Sequence, residues 1–153
     1  MLTHAEATAK RQHKNVMLVF TASWCGPCHL LQNFLADPAI RPIFDRHFVK
    51  VTVFHAEHVR RRDTPGADQM LDSLQDTDTS IPFIAMLGGN GKLIVDSVRP
   101  VYGRGRDIEY NIGFPYDPNS QVWFLEMLRR GAPSLTSSET QTIRKWLFQH
   151  KGN

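Results

Sequence analysis

Apolar residues recur along this chain with two periods. Val16-Met17-Leu18-Val19-Phe20 is an unbroken apolar run, short and flanked by polar residues, which predicts a strand buried on both faces. Residues 48–54 alternate and are rich in β-branched side chains, so they predict a second strand. Residues 83–87 predict a third, and 92–96 a fourth. The turn between them is Gly88-Gly89-Asn90-Gly91, and Asn-Gly between two apolar runs is a strong hairpin signal.

The helical period shows elsewhere. Leu30, Leu31, Phe34 and Leu35 fall on one stripe, ended by Asp37-Pro38, after which a short helix over 38–46 is expected. Thr3 and Glu6 have capping-box spacing and predict a helix over 4–14. Met70, Leu71 and Leu74 predict a modest helix over 67–74, after a loop over 56–66. Asp117-Pro118 predicts a helix start and Gly131 its stop. Thr136 and Glu139 form a second capping box ahead of an inner face of Ile143, Trp146 and Leu147, for a last helix over 137–149. Trp123 and Trp146 lie on inner faces and read as packing. Residues 97–116 show no period and are expected to be an irregular insertion. Four strands with helices between and after them predict a three-layer α/β/α sandwich around a mixed sheet.

Size and charge narrow the function classes. At 153 residues, a single domain over 1–153 is expected. Formal charge is only +3, and Arg60-Arg61-Arg62 is followed at once by Asp63, which reads as a solvated loop. A nucleic-acid partner would call for more basic residues with aromatics interleaved, so none is expected. No run of about 18 apolar residues exists, and no membrane span is expected. Leu2 to Asn15 is polar and shows no apolar leader core, which fits either a cytoplasmic protein or one whose leader has been removed.

The chain's two cysteines both sit in Trp24-Cys25-Gly26-Pro27-Cys28, between the 16–20 strand and the 30–35 helix. A CxxC in that place reads as a redox pair. Only a thiolate attacks a disulfide, and a helix N-terminus lowers a cysteine pKa from about 8.5 into the range of roughly 3.5–7.5. Cys25 stands where unpaired backbone N–H groups would face its sulfur, and Pro27 lacks an amide that would go unpaired there. Cys28 follows one turn later and is expected to be the more buried. Cys25 is therefore the expected nucleophile, and Cys28 the thiol that resolves the mixed disulfide.

The chain resembles the thioredoxin-like family at these residues, and the pentapeptide is specific to it. The resemblance covers roughly residues 5–100. It implies a thioredoxin-like fold without that family's first strand, and an added C-terminal helix. It also implies that Pro82, in Ser80-Ile81-Pro82, is the family's cis-proline, with the Ile81 backbone pairing to an extended substrate peptide beside Cys25. Trp24, Gly26, Pro27, Ile81 and Pro82 are thus the expected supporting residues, with Trp24 packed beside the active site. The stretch from Ala22 to Val51 looks most like bacterial envelope members, which favours the periplasm over the cytoplasm. One position departs from the family: where thioredoxin carries a buried aspartate, six residues before the first cysteine, this chain has Val19. Lys50, Glu57 and His29 are the candidates to replace that carboxylate in deprotonating Cys28.

Rival chemistries share some of these residues. Cys25 to His29 also has the C-x-x-C-H form of covalent haem attachment. Trp24, Gly26-Pro27 and the apolar strand before the motif speak instead for redox exchange. CxxC with His55 and His58 would supply four zinc donors, yet metal would remove the free nucleophile, and no metal is expected. Tyr102, Tyr110, Arg104 and Arg106 lie in the 97–116 stretch and are either substrate-selecting or solvated. The expected function is thiol–disulfide exchange on protein or peptide disulfides, reductive by resemblance of the Gly-Pro pair. It needs no cofactor and takes electrons from an upstream redox protein. A disulfide isomerase and a partner-binding module with little turnover are the alternatives.

Overall fold

A computed structural model describes residues 1–74, 80–103 and 106–150, without the side chains of 101–103 and 106–109. Helix α1 (Leu2–Gln12) precedes strand β1 (Asn15–Thr21). Helices α2 (Gly26–Ala36) and α3 (Arg41–His47) lead to β2 (Phe48–Phe54). A short 3-10 turn (Arg60–Arg62) and α4 (Ala67–Leu74) follow. The hairpin of β3 (Phe83–Leu87) and β4 (Leu93–Asp96) comes next, then β5 (Val98–Gly103) and β6 (Arg106–Asn111), and finally α5 (Pro118–Gly131) and α6 (Ser137–Gln149).

Four strands form one mixed sheet in the order β2-β1-β3-β4. β1 runs parallel to β2, with Val16 opposite Val49, and antiparallel to β3, with Leu18 opposite Ala85. Side chains alternate across a strand, so the unbroken run of β1 feeds two cores. Met17 and Val19 pack with α2, α3, α5 and α6 through Leu31, Phe34, Phe44, Phe124 and Ile143. Val16, Leu18 and Phe20 pack on the other face with Ala5 and Ala9 of α1 and Ala67 and Leu71 of α4. These are the three layers that the hydrophobic pattern predicts.

The first core is organised on Phe34, whose ring lies 5.5 Å from Phe44, 5.9 Å from Phe124 and 4.9 Å from Trp146, all edge-on. Trp146 ties α6 to the end of α2 by donating from Nε1 to Asp37 Oδ2 at 3.0 Å. Trp123 is half-buried, with Nε1 donating to the Asp96 carbonyl at 3.1 Å, so both tryptophans pack as their helical positions suggest.

Four expectations are corrected. Thr3 does not cap α1; the helix begins two residues earlier, behind Met1, with the Ala5 amide bonded to the Met1 carbonyl, and Thr3 lies inside the first turn. The helix expected over 38–46 occupies Arg41–His47, because Asp37 Oδ1 takes the Ala39 amide at 2.8 Å and holds 37–40 in turns. Residues 97–116 are not irregular throughout: β5 and β6 pair as an antiparallel hairpin in a separate two-stranded sheet, Val98 opposite Asn111. Gly131 is the last residue of α5 rather than its left-handed stop. A Cβ there would strike Met86 Sδ and stand 3.3 Å from Met86 Cβ, so glycine lets α5 lie close on β3.

The capping box of α6 holds in both directions: the Glu139 amide donates to Thr136 Oγ1 at 3.1 Å and the Thr136 amide to Glu139 Oε1 at 3.0 Å. The same buried carboxylate meets Arg46 and, at 3.2 Å, His47 Nε2 of α3. Burial works to raise the Glu139 pKa, but the Thr136 amide, Arg46 and His47 outweigh it and bring it from the usual 4.5 to about 2. A depressed carboxyl pKa stabilises the fold fully above its unfolded value and loses that contribution as pH falls through the folded value. Glu139→Gln is therefore expected to lower the urea midpoint at neutral pH and to flatten its decline between pH 4.5 and about 2. A midpoint-against-pH profile superimposing on wild type would contradict this.

Candidate functional site

β1 ends at Thr21 and α2 begins at Gly26, so the turn between them delivers Cys25 to the head of the helix. Cys25 is the N-cap, with extended backbone at φ −86° and ψ 114°. Its Sγ accepts the Cys28 amide at 3.2 Å, the role that a serine or aspartate oxygen fills in other helices. Pro27 sits in the first turn, where no amide is needed. The two sulfurs are joined in a disulfide, with the α-carbons 5.2 Å apart.

Beside them runs Ser80-Ile81-Pro82, whose Ile81–Pro82 bond is cis, leading directly into β3. The Ile81 carbonyl oxygen is 3.8 Å from Cys25 Sγ, and the Ile81 side chain packs on the small cluster of Ala22, Cys25 and Cys28. Cys25 is only 3% exposed, against 1% for Cys28. Cys25 is thus covered in the disulfide state, within the small cluster on which Ile81 packs, and Cys28 is the more buried of the two. Gly26 and Pro27 are exposed at the rim.

Trp24 lies outside this cluster. It is 49% exposed; its Nε1 donates to the Ala56 carbonyl at 2.8 Å and its ring rests 5.4 Å from that of His58. It therefore covers the 56–58 loop instead of being buried against the cysteines. The site turn is gripped from the same loop by Glu57, which is 8% exposed. The Ser23 amide donates to its Oε1 and the Ser23 hydroxyl to its Oε2, both at 2.6 Å. The Ser23 hydroxyl, then its amide, holds the Glu57 pKa below the usual carboxylate range. The loop is stapled in turn: Asp63 Oδ1 accepts the Glu57 amide at 2.9 Å, and Asp68 pairs with Arg60 at 3.4 Å and His55 Nδ1 at 3.1 Å.

These contacts sort the candidate ligands and bases. His55 sits by Asp68 and His58 on Trp24, while the cysteines are bonded to each other, so the four zinc donors do not converge. His29 is exposed with Nε2 2.7 Å from the Ser23 carbonyl, so that nitrogen is engaged locally. Lys50 pairs with Asp45 at 3.1 Å and lines a cavity of about 300 Å³ flanking α2, together with Val19, Thr21, Leu31 and Thr52. Thr21 is buried, and among the described residues its Oγ1 has no hydrogen-bond partner. Of the residues singled out in 97–116, Tyr110 lies under the Arg99 guanidinium, 5.0 Å from the ring centroid. Arg104 and the side chains of Tyr102 and Arg106 lie outside the described residues.

Three residues near the cysteines have structural roles that the sequence does not signal, Glu57 being legible there only as a candidate base. Ser23 and Glu57 meet across 34 positions, and neither stands in a recognisable pattern. Asn111, from the end of β6, reaches the carbonyls of Ser80 and Pro82, both at 2.9 Å. Each makes contacts that only the folded topology brings together.

Because Glu57 holds the turn ahead of Cys25 through two short bonds, Glu57→Gln should weaken that grip and Glu57→Ala abolish it. The melting temperature of the oxidised protein is expected to fall in the order wild type, Gln, Ala. Equal melting temperatures for all three would show that the turn holds itself.

The matches to known proteins agree with this geometry. A family profile described as thioredoxin-like matches residues 2–89. No curated protein matches the chain. Among solved structures, a disulphide isomerase from Xylella fastidiosa Temecula1 is 27% identical at a TM-score of 0.51, over 62% of this chain and 69% of that one. A DsbH oxidoreductase is 18% identical at a TM-score of 0.52, over 84% of this chain and 79% of that one, a likeness of fold. The profile spans more than half of the sequence, and the chain belongs to the thioredoxin-like family.

Proposed function

We propose that this thiol–disulfide oxidoreductase reduces protein or peptide disulfides, with Cys25 as nucleophile and Cys28 as resolving thiol. The observation that carries the reading is Cys25 Sγ at the head of α2, accepting the Cys28 amide at 3.2 Å and lying 3.8 Å from the Ile81 carbonyl. The N-terminal amides and the helix dipole favour negative charge at that sulfur, which is the form that attacks.

In the reduced protein the Cys25 thiolate attacks one sulfur of a substrate disulfide. A Cys25–substrate disulfide forms, and the other substrate sulfur leaves as a thiolate and takes a proton. Cys28 then loses its proton and attacks Cys25 Sγ, releasing the second substrate thiolate. The substrate gains two electrons, the protein ends as the Cys25–Cys28 disulfide, and an upstream dithiol protein reduces it again. The cysteine pair supplies all the redox chemistry, and no bound cofactor enters any step.

The proton of Cys28 has no carboxylate at position 19 to receive it. Glu57 is a poor base, since its pKa is lowered and both oxygens are held by Ser23. Lys50 is engaged with Asp45 at 3.1 Å and does not take the proton either. The proton of Cys28 therefore passes to solvent water and not to a protein carboxylate. Resolution by Cys28 is then slower than with a carboxylate in place. Val19→Asp is expected to speed decay of a trapped mixed disulfide, and an unchanged decay rate would count against this route.

Isomerisation of disulfides is the second reading, favoured by the 27% identity with the Xylella fastidiosa disulphide isomerase. The two readings differ in reduction potential, for which about 30 mV corresponds to ~1.4 kcal/mol in a two-electron couple. A glutathione titration of the pair separates them: a strongly reducing potential supports the reductase, a potential near that of the glutathione pool the isomerase. Activity itself is tested by insulin turbidity under dithiothreitol. Wild type should accelerate precipitation, Cys25→Ser should not, and Cys28→Ser should accumulate a mixed disulfide. Acceleration retained by Cys25→Ser would refute the assignment.

A further inference from the structure

The hairpin of β5 and β6 ends on a buried asparagine that no feature of the redox motif calls for. Asn111 is 8% exposed, and its side chain bonds both within the hairpin root and across to the segment before β3. Its Nδ2 donates to the Ser80 carbonyl at 2.9 Å, the Pro82 carbonyl at 2.9 Å and Ser80 Oγ at 3.1 Å. Its Oδ1 accepts from Ser97 Oγ at 2.7 Å and from the Gly113 amide at 3.2 Å. The partners fix the amide's orientation without ambiguity: two carbonyls require a donor, and a backbone N–H requires an acceptor.

Ser97 extends the knot into the sheet. Its hydroxyl accepts the Ile84 amide at 2.9 Å, and its own amide donates to the Ile84 carbonyl at 2.8 Å. Gly113 turns the chain away from Asn111 at φ +59°, and a Cβ there would stand 3.7 Å from Pro82 Cδ. Carbonyls on both sides of Ile81 are thereby pinned, at the point where the Ile81 carbonyl faces Cys25 Sγ. An extended peptide that pairs with Ile81 needs this backbone held still, because register across a strand pair is set by backbone position.

We propose that Asn111 is a positioning residue for disulfide exchange, holding the Ser80–Pro82 backbone so that a substrate peptide pairs with it beside Cys25. This assignment rests on the function above and deepens it. It makes the hairpin root part of the substrate strand's support, whereas the sulfur chemistry at the head of α2 does not touch Asn111.

The test uses the full chain with two probes. One is a self-quenched peptide disulfide with extended flanks. The other is 5,5′-dithiobis(2-nitrobenzoate), a small disulfide with no backbone to pair. Asn111→Asp keeps the shape but sets a carboxylate oxygen against two carbonyls; Asn111→Ser removes most of the bonds. Both variants are expected to raise KM for the peptide by about tenfold or more, with kcat little changed, as loss of hydrogen bonds to fixed backbone groups would give. Their rate with the small disulfide should stay within about twofold of wild type. Should either variant fail to fold, Ser97→Ala, one bond removed, is expected to show the same split to a smaller degree. Peptide KM unchanged in the folded variants, or both probes losing rate in parallel, would overturn the assignment. A wild type inert toward the small disulfide would overturn the proposed function itself, and this assignment with it.

Discussion

The site depends on one sulfur taking the place of a capping oxygen. Cys25 Sγ accepts the Cys28 amide at the first turn of α2, and the rest of the fold serves to keep that helix start in place. The buried strand β1 aims the chain at it. Phe34, on the inner face of α2, locks the helix between α3, α5 and α6. Glu57 fixes the turn in front through Ser23, and Asn111 fixes the facing backbone through Ser80 and Pro82. A helix dipole stabilises a thiolate only over its first turn, so small displacements of α2 or of the Ser23 turn would cost more chemistry than stability.

The two polar clamps have similar logic and different reach. Glu57 acts on the turn that carries the nucleophile, and its short bonds to Ser23 hold it ionised. Asn111 acts on the opposite wall, where the Ile81 carbonyl faces the sulfur. Both are buried side chains whose bonding capacity is well used, the condition under which a polar group inside a protein specifies geometry instead of weakening the fold. Val19 is the position at which the polar design stops, and the cavity along α2 is polar on its Lys50, Thr21 and Thr52 side instead.

Much of this was legible from residue order. The run 16–20 announced a strand covered on both faces because alternate side chains enter different cores, and Asn-Gly announced the β3–β4 turn. The CxxC at a strand–helix junction announced the chemistry, and Thr136 with Glu139 announced the last helix. The failures have physical causes. Thr3 and Glu6 have the spacing of a capping box, but a spacing does not fix where a helix begins, and Met1 takes the cap position. Gly131 looks like a helix stop, yet its glycine answers to Met86 on β3, a contact across 45 positions that only packing reveals. The β5–β6 hairpin was hidden because Pro100, Gly103 and several charges dilute its alternation, and a two-stranded ribbon needs little apolar surface. Asn111 reads as an ordinary turn residue until the fold carries it to Ser80 and Pro82.

The proposed chemistry requires the α2 N-terminus to hold Cys25 as a thiolate near neutral pH. The most direct measurement is the rate of iodoacetamide alkylation of the reduced protein as a function of pH, resolved by peptide mapping. Fast labelling confined to Cys25 is expected, with a midpoint well below the value of about 8.5 for a free cysteine. Labelling of both cysteines no faster than free cysteine, or a midpoint at or above that value, would contradict it.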